Sequence, residues 1–157
     1  MTNRLEFRLS TDKDLQALAD LRWRLKTDDE PMLDAAAYEG FLREFVSLSR
    51  AGPRHGELFH WVAADGDKLV AAMSVVIVCK VPEPGELNGR WGYLTNCYAL
   101  PEIRNSGVGS ALLGSIKAWA VGERLELLVV WPSDRAYTFY ERSGFARLPD
   151  PLVLELS

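Results

Sequence analysis

The chain has 157 residues, 48% of them hydrophobic and 25% charged, which fits one globular domain over 1–157 with a sizeable core. Its formal net charge of −4 gives no basic footprint for general nucleic-acid binding. No apolar run approaches 18 residues and the opening MTNRLEFRLS has no signal-peptide core, so the sequence predicts a cytoplasmic protein without a membrane span.

Residues 4–9 alternate, with Leu5, Phe7 and Leu9 on one side, and read as a first strand. Ser10, Thr11 and Asp12 offer caps for a helix over 12–26, whose stripe is Leu15, Leu18, Leu21 and Leu25. Pro31 breaks the chain, and a second helix is predicted over 35–49 with Tyr38, Phe41, Leu42, Phe45 and Leu48 in register. ELFHWVAAD and KLVAAMSVVIVCKV then form a hairpin across the turn DGDK. After the loop PEPGELNGR comes a strand, RWGYLTNCYAL, stopped by Pro101.

The clearest helix covers 107–122, where Val108, Ala111, Leu112, Ser115, Ile116, Trp119 and Ala120 recur at helical spacing. LELLVVW is a nearly continuous apolar strand, as expected when both faces are covered. A helix over 134–143 opens after Pro132 and Ser133 and ends at Gly144, and LVLEL is a closing strand. This order predicts a mixed α/β domain, antiparallel early, with a crossover through 107–122 into a parallel neighbour.

Cys79 and Cys97 lie in apolar strand-like runs and read as buried, reduced thiols. His55 and His60 have no metal-ligand spacing with them, so no metal is expected.

The stretch RNSGVGSAL, residues 104–112, is the chemical signal. Gly107 and Gly109 lack Cβ atoms, so backbone amides could approach an anion at a helix N-terminus, with Arg104 adding a cation. A dinucleotide fingerprint fails because Leu112 replaces its third glycine, and a P-loop fails because Ser110 and Ala111 replace Lys-Ser/Thr. A pyrophosphate cradle and a plain glycine-rich helix entry both remain open on this motif alone.

The surroundings of that turn carry more. YLTNCYALPEI precedes R-x-x-G-x-G, a long amphipathic helix follows, and SDRAYTFYERSGF comes about thirty residues later. Together they resemble the GCN5-related N-acetyltransferase (GNAT) family, most specifically over 90–146, with Ala136, Phe139, Tyr140, Glu141, Gly144 and Phe145 matching its last signature. The resemblance implies a mostly antiparallel central sheet flanked by helices, with one parallel, splayed strand pair. It implies acetyl transfer from acetyl-CoA to a small-molecule or protein amine in a ternary complex, coenzyme A as product and no metal.

Carried over, the resemblance puts the pyrophosphate on Asn105, Ser106, Gly107, Val108, Gly109 and Ser110, with Arg104 opening the motif. It puts the cofactor arm on the backbone of Cys97, Tyr98 and Ala99, which argues against Cys97 as a nucleophile. Tyr140 is the expected acid for the leaving thiolate, the alternative being an aromatic packed beside Phe139; Tyr137 is a less favoured substitute. Ser133 stands where the family often has Asn, and Thr95 stands near a frequent Glu, leaving the base undetermined. Asp28, Asp29 and Glu30 follow the first helix and either recognise a cationic acceptor or form a solvated acidic turn. Glu83 and Glu86, in the loop 82–90, offer another acceptor wall. A non-catalytic acyl-CoA sensor is the alternative function, and a homodimer is compatible with the resemblance.

Overall fold

The structure is a computed structural model and describes residues 4–28, 34–52, 57–149 and 151–156. Asp29, Glu30 and His55 lie outside the described residues. Five strands form one sheet in the order β1-β2-β3-β4-β5: Glu6–Leu9, Leu58–Asp65, Lys68–Cys79, Arg90–Ala99 and Leu128–Val130. The first four are antiparallel, and β5 lies parallel to β4. Helices α1 (Leu15–Thr27), α2 (Ala35–Ala51), α3 (Val108–Gly122) and α4 (Tyr137–Arg142) complete the layers.

Local sequence explains most boundaries. The α1 entry is a cap: the Asp14 carboxylate accepts from the Thr11 amide at 2.6 Å and from both Arg8 guanidinium nitrogens at 2.7 and 3.1 Å. Those donors hold the Asp14 carboxyl down at about 2. The hairpin between β2 and β3 turns at Gly66, whose φ of 59° favours glycine. Pro101, which lacks an amide donor, opens a 3-10 turn after β4.

Two helical layers cover the sheet. On one face α1 and α2 pack through Trp23, Tyr38 and Phe41, with ring centroids 5.2 and 5.4 Å apart. On the other, Trp119 of α3 sits 5.0 Å from Phe59 and 5.9 Å from Trp61 of β2. Leu112, Leu113 and Ile116 are fully buried there, each stabilising the fold by about 1.5–3 kcal/mol. Ala111, which the helical spacing placed in the stripe, is exposed, and Leu113 takes part in its stead.

Two expectations are corrected. LVLEL is not a strand: residues 151–156 run without pairing and leave Leu152, Val153, Leu154 and Leu156 exposed. Alternation and β-propensity describe a strand's faces, whereas a strand exists only with a ladder partner, and none of the described residues supplies one. Cys79 is exposed at the end of β3, because the apolar run outlasts the helical cover; both thiols are free.

Candidate active site

The glycine turn is built by backbone conformation. Asn105 and Gly107 both have positive φ, 62° and 85°, and Gly107 is the N-cap of α3. The first helical bond runs from the Ala111 amide to the Gly107 carbonyl at 3.0 Å. Helix geometry therefore leaves the amides of Val108, Gly109 and Ser110 without an intrahelical acceptor, at the positive end of the dipole. A Cβ built on Gly107 would meet nothing within 4 Å, so the space beside Gly107 is open. Gly109 is placed differently: a Cβ there would lie in van der Waals contact with the Phe139 ring of α4, at 3.4 Å. The Ser106 hydroxyl donates to the Ile103 carbonyl and braces the turn.

Strand β4 supplies the second element. It pairs with β5 only at Gly92, Tyr93 and Leu94. From Thr95 to Ala99 it keeps β3 on one side, and none of the described strands lies on the other. At Gly92, where this pairing begins, the strands lie close: a Cβ there would come within 2.6 Å of the Leu128 side chain. The register with β3 also shifts between Ala72 and Ser74, and opposite that shift Asn96 has φ 54°. This is a β-bulge, which bends a strand and redirects its backbone groups.

Tyr140 is buried, with its ring 5.0 Å from Phe139 and 5.5 Å from Phe145. Its hydroxyl lies beside the Cys97 thiol, so a polar neighbour accompanies the packing. Burial and the Cys97 neighbour push the phenol well above its ordinary range. Burial pushes the Cys97 thiol up to about 11, which leaves it protonated and a poor nucleophile.

The first helix reaches this end of β4. The Tyr98 hydroxyl donates to the Asp28 carboxylate, whose oxygens also lie 3.9 Å from Arg24 and 3.8 Å from Arg104. Arg104 donates from Nε to the Ala99 carbonyl at 3.0 Å and lies over the Tyr98 ring. Asp28 thus meets two cations of its own chain, and Arg104 is turned toward β4. Ser133 caps the turn before α4 through its carbonyl, accepting from Ala136 at 2.9 Å, while its hydroxyl makes no capping bond. Glu86 lies elsewhere, 3.3 Å from Lys80 in an ion-pair cluster with Glu126.

The family model of the acetyltransferase (GNAT) family matches residues 15–145. The chain belongs to this family. Its GNAT fold is shared with a predicted acetyltransferase from Clostridium acetobutylicum solved with acetyl-CoA (TM-score 0.75, 21% identity, 97% of this chain and 96% of that one). It is shared with a GCN5-related N-acetyltransferase from Ralstonia eutropha (0.71, 22%, 97% and 99%) and with glucosamine-6-phosphate N-acetyltransferase from Arabidopsis thaliana (0.69, 15%, 98% and 99%). No curated protein matches the sequence. GNAT membership makes the chain an N-acetyltransferase.

Two features of this GNAT domain were not read from its sequence. One is a cleft of about 740 Å³ on the outer edge of β5, lined by Leu128, Val130, Trp131, Tyr140 and Phe145 among others. Of the sequence-predicted catalytic candidates it reaches Tyr140 and its substitute Tyr137; the glycine turn lies outside its lining. The other is a buried polar chain that begins at His60, whose only sequence test was as a metal ligand. A histidine on an otherwise apolar strand, and an asparagine inside β4, were the available signals.

Proposed function

We propose that the protein transfers acetyl from acetyl-CoA to a primary amine, directly and within a ternary complex. The observation that carries this is the splay of β4 from β5 after Leu94, beside a helix N-terminus opened by Gly107 at φ 85°. The open space at Gly107 fits a pyrophosphate, and the free edge of Thr95–Ala99 fits an extended amide-bearing arm as an added strand.

In this reading the amides of Val108, Gly109 and Ser110 hold the pyrophosphate, and Asn105 and Ser106 shape the turn. The backbone of Cys97, Tyr98 and Ala99 holds the arm and presents the thioester. An amide at the bulge polarises its carbonyl as charge develops on oxygen. The new C–N bond forms as the C–S bond breaks, Tyr140 gives its proton to the leaving sulfur, and the proton lost by the attacking amine returns through solvent to restore the phenol. Its raised proton affinity keeps Tyr140 protonated across the neutral range. Strand β4, RWGYLTNCYA, carries no carboxylate, so the base that deprotonates the acceptor is not assigned to this strand. Ser133 and Asp28 border the site, Ser133 with its hydroxyl available.

The test is thiol release from acetyl-CoA over a panel of primary amines (a polyamine, an amino sugar, free amino acids, a lysine peptide), with acetyl-CoA binding measured by calorimetry. Turnover with at least one amine supports the reading. Tight binding without turnover on any amine replaces catalysis with acyl-CoA sensing, and absent binding refutes the assigned donor.

A further inference from the structure

Four side chains form a hydrogen-bonded chain across the α1/α2 face of the sheet. Ser49 of α2 meets His60 Nε2 at 3.0 Å; His60 Nδ1 meets the Ser74 hydroxyl at 2.7 Å; Asn96 Nδ2 donates to the same hydroxyl at 3.0 Å. His60 and Ser74 are 6% and 2% exposed, in a layer otherwise built from apolar residues. Phe45 stacks on the imidazole at 5.4 Å. The chain ends at the residue that creates the β4 bulge.

Every link is satisfied. Burial drives the His60 imidazole down to about 4, so it is neutral and offers one donor and one acceptor. Ser74 accepts from Asn96 and still has one proton and one lone pair for His60. Whichever way the His60 proton sits, Ser49 completes the count. Asn96 needs such an anchor. Left-handed backbone is unfavourable for most residues with a Cβ; Asn is one that tolerates it, and its bond to Ser74 holds the side chain, and with it the bulge, in one orientation.

We propose that Ser49, His60, Ser74 and Asn96 are positioning residues for acetyl transfer: they lock the bulge so that the backbone amides at Asn96 and Cys97 keep one direction toward the thioester carbonyl. None of their side chains touches the reacting atoms in this scheme. The inference rests on the acetyl-transfer reading above and deepens it. A satisfied polar chain admits a single geometry, whereas an apolar packing of equal volume would let the bulge slide.

The test compares Ser74→Ala, Asn96→Ala and Asn96→Gly in the full chain with the amine that the wild type acetylates fastest. Losing or misdirecting one oxyanion donor costs about 10²–10³ in kcat when complete, so loosening the bulge should lower kcat by at least about tenfold. The KM for acetyl-CoA should stay within about threefold of wild type, because the glycine turn is untouched. Asn96→Gly should lose less than Asn96→Ala, since glycine accepts the left-handed φ. Adding Ser74→Ala to Asn96→Gly should cost little more, because the tether is already cut.

A kcat within about threefold of wild type in the folded variants would overturn the inference and leave the chain as core structure. A parallel rise in the acetyl-CoA KM would overturn it too, by showing general damage to the donor site. Should Ser74→Ala fail to fold, Asn96→Gly decides alone by the same two readings. A wild type that binds no acetyl-CoA removes the function and the inference together; an active wild type with equally active variants removes only the inference.

Discussion

Gly107→Ala separates the two jobs of the glycine turn. The added methyl meets nothing within 4 Å, so it creates no clash within the protein. Its cost to the fold is the backbone cost of φ 85°, about 1–2 kcal/mol for a residue with a Cβ. For a chain of this size that lowers Tm by about 2–8 °C. Its cost to binding is separate, because in the proposed cradle the pyrophosphate lies against the turn at Gly107, where the methyl would project. Forfeiting one charge-assisted hydrogen bond to a phosphate loses about 1.5–3 kcal/mol, which is about tenfold to a hundredfold in Kd. Titration calorimetry with acetyl-CoA reads the binding term and thermal unfolding reads the fold term. Gly114→Ala is the control: it lies inside α3, its Cβ also meets nothing, and it should stabilise by about 0.5–1 kcal/mol with Kd unchanged. A folded Gly107→Ala protein that binds acetyl-CoA as tightly as wild type would refute the cradle, since nothing else in the turn explains the open space.

Other outcomes follow from the same geometry. Tyr140→Phe should lower kcat by about 10²-fold while leaving the acetyl-CoA Kd unchanged; steady-state thiol release checks it, and unchanged turnover strips Tyr140 of its role. Gly92→Ala should destabilise the fold by about 1–3 kcal/mol in urea titrations, because its methyl meets Leu128 at 2.6 Å and Val75 at 3.0 Å; a neutral effect would mean that β5 is held less closely than described. His60, held down at about 4 against 6.5 when free, binds its proton more readily in the unfolded chain. Its contribution is therefore complete above about pH 6.5 and lost as pH falls through about 4, near 3 kcal/mol in all. Denaturant titrations at pH 7 and pH 4 should show that loss, and its absence would place His60 in water.

Much of the site was legible because its signals are local. The glycines of RNSGVGSAL, the amphipathic stripe behind them and the FYERSGF turn act within a few residues of themselves, through φ preference, helix termini and side-chain spacing. Tyr140 was named from such a segment; its meeting with Cys97 depends on α4 docking against β4. Asp28 was read with its acidic neighbours as either a site for a cation or a solvated acidic turn. The fold instead brings it to Tyr98, seventy residues away, and to Arg104. LVLEL shows the reverse failure: a local pattern suited to a strand, with no pairing partner among the described residues.

By itself the sequence determined the element order as far as α4, the hairpin, the crossover into a parallel neighbour and the glycine turn, since each follows from periodicity or from a residue's own backbone preference. Tertiary structure alone decided the splay after Leu94, the bulge at Asn96 and the chain from Ser49 to Asn96. Those depend on which strands lie side by side and in what register. Register is set by packing summed over whole faces, and no short stretch of residues encodes it.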